Sequence, residues 1–227
     1  MEMRVTIKRD ACGQCIFVIL IALVLKGMCV AEDRDYEYWF KTSVGRELTD
    51  DWGLRFCEKL TWTDNANEFR KHMSDLGFVY HGLADWLDLG FNFKKSYEKE
   101  DGRWLEENRP HVNLTIKDTL CGLAVSNRSR FEFRDKEHDR DYWRYRNKLT
   151  LAAPDPMTAL HIKPYVAQEF FINLDPSDFD QYRIYAGFVL NITRAASLDL
   201  HYVWDTEKSG RRWQDINVIG TDLKLRF

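Results

Sequence analysis

From Tyr36 to Phe227, apolar and polar residues change places at nearly every step, and no stretch keeps a helical spacing over three turns. Trp52, Leu54 and Phe56, then Leu60 and Trp62, share one side of an extended chain, with Arg55 and Lys59 between them. Leu198, Leu200, Tyr202 and Trp204 repeat the pattern around Asp199 and His201. At the end of the chain, Ile219, Thr221, Leu223, Leu225 and Phe227 oppose Gly220, Asp222, Lys224 and Arg226. Segments of this kind fall at about 37–48, 52–63, 70–82, 86–97, 109–118, 121–134, 142–152, 160–172, 181–192, 197–205 and 213–227. The connections between them alternate. Short ones ("TDD", "LAD", "DTL", "APDPMT", "TRAA") take turns with longer or more charged ones ("DNANEF", "EKEDGRWLEEN", "RDKEHDRD", "NLDPSDFD", "DTEKSGRR").

A sheet with two unlike faces, one apolar and one charged, suits a barrel in lipid better than a water-soluble sandwich. The pattern therefore predicts an all-β chain forming an antiparallel, up-and-down transmembrane barrel of about 10–12 strands. Trp52 and Trp86 open segments at the short-turn end, while Trp62, Trp104, Trp143, Trp204 and Trp213 gather near the other, as two aromatic girdles would. Trp52 and Trp62 lie ten steps apart. At ~3.3 Å per residue and ~40° tilt, this spans about 25 Å, the height of an apolar band.

Two features resist this reading. Eleven segments is an odd number, so the first and last would run the same way; residues 32–36 would have to climb as a further strand or lie in the lumen, or the barrel would close with ten. Glu58 falls on the apolar face of its segment, where a carboxylate is costly, and a bulge near it is expected.

The first 31 residues read differently. Arg4, Lys8 and Arg9 precede ten apolar residues, "IFVILIALVL", and then "GMCVA". Ten residues are too few to cross hydrocarbon. The stretch is expected to be a secretory signal over 1–31, leaving a barrel domain over 32–227. Cys12, Cys15 and Cys29 would leave with it, and Cys57 and Cys121 are expected to stay unpaired. A net charge of −3 leaves no basic excess for phosphates, which argues against a nucleic-acid partner. Three Asn-x-Ser/Thr sequons, at Asn113, Asn127 and Asn191, fall inside strand patterns and are read as chance.

The side facing away from lipid would carry Arg109, Lys117, Arg128, Arg130, Glu132, Arg144, Arg146, Lys148, Lys163, Glu169, Arg183, Asp199, Lys224 and Arg226. Such charges must face water or one another. Two readings stay open: a narrow pore favouring small anions, or a closed barrel propped by Arg–carboxylate pairs. A third is an enzyme acting on lipid through a rim or lumen His and carboxylate, with His161, His201, Asp199 and Glu169 as candidates. No serine motif accompanies them, no residue set has metal-ligand spacing, and no cofactor is implied.

"YWFKTSVGRELTDDWGL", "ENRPHVNLTI", "SNRSRFEFR", "YWRYRNKLTL", "PYVAQEFFIN" and "FDQYRIYAGFVLNI" together resemble the Gram-negative outer-membrane proteins grouped as domain of unknown function 2490. The resemblance implies a barrel in the bacterial outer membrane, with its lipids as surroundings, and no settled activity. "GTDLKLRF" resembles the terminal signal engaged by the barrel-assembly machinery, with Gly220, Leu223, Leu225 and Phe227 in place; Val218 departs, since a polar residue is usual there.

Overall fold

Among the described residues, the alternating segments fold as eleven strands: β1 (Tyr36–Glu47), β2 (Trp52–Thr63), β3 (Glu68–Ala84), β4 (Leu87–Glu100), β5 (Arg103–Leu120), β6 (Leu123–Lys136), β7 (Tyr142–Ala152), β8 (Ile162–Leu174), β9 (Ser177–Asn191), β10 (Ala196–Ser209) and β11 (Arg212–Arg226). The computed structural model describes residues 36–153, 162–175, 177–210 and 212–227. The expected leader over 1–31 and the candidate His161 lie outside these residues.

Each strand pairs with its chain neighbours, and β1 joins β11 to close the barrel. All neighbouring pairs are antiparallel except that seam, which is parallel from Tyr36↔Asn217 to Gly45↔Arg226. The expected antiparallel barrel of 10–12 strands is thus found, with one parallel seam. An odd strand count leaves the first and last strands pointing the same way, and the parallel ladder accepts that direction without a twelfth strand. Closure with ten strands is likewise excluded.

The expected alternation of short and long connections is not found. Among the described residues, the strands are joined at one end, here called upper, through 64–67, 101–102 and 137–141, and at the lower end through 48–51, 85–86, 121–122 and 192–195. Much of the charged sequence expected to be loop is strand instead. In "EKEDGRWLEEN" only Asp101 and Gly102 turn, with φ of 48° and 78°, the backbone of a tight two-residue hairpin. Cys121 and Gly122 do the same at the lower end, with φ of 51° and 79°. Strands as long as the 18 residues of β5 carry their charges beyond the apolar band.

The wall has two faces. Phe56, Leu76, Phe78, Phe91, Phe93, Val112, Leu114 and Phe131 are exposed on the outside. Residues of the other parity meet across the interior. Lys148 lies over the Tyr185 ring, and the Tyr165 hydroxyl reaches Asp199, each contact skipping a strand. Trp39, Tyr165, Ala167, Tyr185, Val203 and Val218 pack there as an apolar core. Val218 is apolar because it belongs to that core, where it is fully buried.

Glu58 lies on the outer face in unbroken register with Thr42 and Ser74. The irregularity expected near it lies three residues further along the same pairing, between Thr61 and Trp62, and does not interrupt the register at Glu58 itself. Hydrogen bonding meets the cost instead: Ser74 Oγ donates to Glu58 Oε1 at 2.7 Å, and His72 Nε2 holds Oε2 at 2.6 Å.

Candidate functional site

The interior between β4 and β9 is built from charge. Because side chains alternate, Arg128, Arg130, Glu132 and Arg134 of β6 all point inward, and β7 places Arg144, Arg146 and Lys148 directly beside them. Two carboxylates organise this side. Glu132 accepts from Arg144 Nε at 2.6 Å and from Arg146 Nη1 at 3.4 Å, and lies 3.9 Å from Arg130. Glu169 accepts from Arg146 Nη2 at 2.8 Å, from Arg128 Nη2 at 3.3 Å and from the Tyr185 hydroxyl at 2.8 Å. Arg146 therefore bridges the two acids. Arg130 turns its Nε to Asn113 Oδ1 at 2.7 Å, and Arg183 pairs with Asp205 at 2.7 Å.

Phe171 fills the centre at 1% exposure. The guanidinium carbons of Arg144, Arg146 and Arg183 lie 5.2, 4.5 and 4.9 Å from its ring centroid. One aromatic thus helps to hold three cations, two of which, Arg144 and Arg146, share Glu132. Nearer the upper end, Glu107 is clasped by Arg109 and Arg134, and Arg134 Nη1 also reaches the Tyr142 hydroxyl at 2.5 Å. Lys94 is buried on β4, opposite Arg109 in register.

On the other side of the interior, Asp199 accepts from Lys224 at 2.7 Å and from Tyr165 at 2.9 Å, with His201 Nδ1 at 3.1 Å. Lys41 pairs with Asp222. Asp199, His201 and Asp222 bring possible ligand atoms within 4.8 Å of one another. Both acids already hold a lysine ammonium, so the trio is an ion-paired cluster. Gly220 makes room for the imidazole beside it. A Cβ there would stand 2.6 Å from ring carbons of His201, and one at Gly187 would stand 2.6 Å from His201 Cβ. The histidine lies between two positions that carry no side chain.

At the lower mouth, a cavity of about 550 Å³ is lined by residues including Asp51, His81, Asp88 and Lys117. Asp88 holds His81 Nδ1 at 2.7 Å and Lys117 Nζ at 2.5 Å. Arg226, also at the lower end, is exposed, and Lys163 is half-buried beside the start of β8.

Glu107, Arg134, Phe171, Lys94, Asp205 and the inward Trp39 join the interior without having been expected there from the sequence. Glu107 is hidden by the charge of its stretch, which suggests a loop, although the Asp-Gly pair just before it is a hairpin signal. Phe171 follows by parity from Glu169, but an aromatic in a charged interior runs against composition. Arg134 needs only a count of two from Glu132.

A closed, eleven-stranded sheet whose inner face is an ion-paired core defines a β-barrel with a filled interior. Within that class the chain belongs to the family described as protein of unknown function (DUF2490), whose model matches residues 36–215. No curated protein and no solved structure matches it.

Proposed function

We propose that the chain is an integral outer-membrane barrel of a Gram-negative bacterium whose lumen is closed by its own Arg–carboxylate–Phe171 network, and that this network is the molecule's core. The observation that carries the reading is the complete burial of Glu132 at the centre of three arginines. An open channel would leave such a group wet. The apolar outer face, bounded by exposed Trp52 and Trp86 below and by Trp62, Trp104 and Trp143 above, supports placement in lipid. The partners would be outer-membrane lipids and, through Gly220, Leu223, Leu225 and Phe227 of the last strand, the assembly machinery.

Membrane fractionation with heat-modifiable gel mobility tests the placement: a compact, detergent-extracted species is expected, and a soluble periplasmic one overturns it. Planar-bilayer recording tests closure, and the wild-type barrel should be silent. Discrete anion-selective openings, abolished by Arg130→Glu or Arg146→Glu, would instead make the network a small-anion pathway.

A further inference from the structure

The outer wall carries a cluster of ionisable groups that neither closure nor lipid solvation calls for. Glu58 on β2, His72 and Ser74 on β3, and Lys95 and Tyr97 on β4 stand side by side on the outer face. The registers are Glu58↔Ser74, Ser74↔Lys95 and His72↔Tyr97. Below them the wall is Phe56, Leu76 and Phe93, all exposed; above them run the contacting rings of Trp62, Phe69 and Trp104, 5.6 and 5.7 Å apart. In the membrane placement proposed above, on which this inference rests, the cluster lies inside the wall's apolar band, nearer the upper girdle than the lower. An apolar residue would be the cheapest occupant of each position. Ionisable groups set there are instead the mark of function.

The geometry points to an acyl-transfer site in which Ser74 is the nucleophile, Glu58 its general base, and the substrate a fatty-acyl ester of a membrane lipid. The serine hydroxyl already donates to Glu58 Oε1 at 2.7 Å, within the reach that nucleophile–base pairs need. His72 Nε2 fixes the other carboxylate oxygen at 2.6 Å, and the imidazole is in turn stacked on Tyr97 at an interplanar angle of 14°. His72 is therefore a positioning residue. Glu58 and His72 side chains are 34% and 39% exposed, so an ester lying along the wall can reach them. Lys95, the register partner of Ser74, turns its ammonium to Glu106 at 2.8 Å on the next strand.

The step balances with water as the only co-reactant. Ser74 Oγ bonds to the ester carbonyl carbon while its proton passes to Glu58. The carbon–oxygen ester bond breaks, and the leaving alcohol takes that proton. Water then attacks the acyl-serine, its proton returning through Glu58 to Ser74, and a free fatty acid departs. The ester could belong to a glycerophospholipid or to an acylated glucosamine lipid, since both carry the same bond.

The test uses the purified full barrel in two kinds of vesicle, one of phosphatidylethanolamine and phosphatidylglycerol and one of these lipids doped with lipid A. Released fatty acid is measured, along with the adduct of a long-chain alkyl fluorophosphonate mapped by peptide mass spectrometry. We expect the adduct on Ser74 and acyl release from at least one vesicle type, which identifies the source. Ser74→Ala should abolish both, and Glu58→Gln should slow both by about 100-fold. His72→Asn should cost less, about 10-fold, and shift the pH profile of release, which a purely structural role would not do. The wild-type adduct needs no variant to fold. A folded, membrane-embedded wild type that leaves Ser74 unmodified and releases no acid above Ser74→Ala overturns the site. A barrel recovered without detergent overturns the membrane placement instead, and heat-modifiable mobility separates the two failures.

Discussion

Val203 and Glu132 are equally inaccessible, both at 0% exposure, on opposite sides of one lumen. Val203 is held by shape, among Trp39, Tyr165, Tyr185 and Val218, where neighbours lose contact area if it shrinks. Glu132 is held by charge, and its neighbours lose their counter-ion if it goes. The first kind of packing fails gradually. The second leaves arginines buried without a partner, because removing one member of a buried ion pair costs more than the pair contributes.

This contrast sets an order of effects. The largest belongs to Glu132→Ala, which strands Arg144 and weakens Arg146 and Arg130; it should lower unfolding free energy by about 3–5 kcal/mol. The urea midpoint of tryptophan fluorescence in mixed micelles reads it. On the apolar side, Val203→Ala removes about two methylene equivalents and leaves a small cavity, for about 1–2 kcal/mol in the same assay. If Val203→Ala costs more than Glu132→Ala, the ionic side is not the more demanding one and the contrast falls. The smallest effect should come from Arg128→Ala. Its side chain is 34% exposed and meets Glu169 at 3.3 Å, while Arg146 still serves that acid. A loss of about 1 kcal/mol or less is expected, and added salt should erase most of it. A salt-insensitive loss of several kcal/mol would place Arg128 inside the network instead of at its edge.

The strands and their inward residues are legible because period-two alternation is local: each residue declares its face through its neighbours two positions away. Arg130, Glu132, Arg144 and Arg146 can be assigned to one face from the chain alone for this reason. Which acid serves which arginine cannot, since Glu132 and Glu169 are shared across three strands and the sharing depends on register. Charge misleads about the loops, because it marks exposure to water and not irregular chain. In "EKEDGRWLEEN" the strand simply continues past its apolar part, and the Asp101–Gly102 hairpin is the true local signal. Glu58 is visible as an anomaly, but its answer lies on another strand, in His72 and Ser74. The parallel seam leaves no local mark at all, because Tyr36 and Asn217 meet only after every hairpin between them is in place.

That seam also decides how the chain could be rewired. In a barrel with an even count, the first and last strands end at the same mouth, and a two-residue turn can splice them so that the chain is reopened elsewhere. Here β1 starts at the upper mouth while β11 finishes at the lower one. With 15 residues in β11, at ~3.3 Å each and ~40° tilt, the splice must climb about 38 Å. A circular permutant therefore needs a connector of about 12 extended residues running along the wall, and shorter joints should give open sheets in place of barrels.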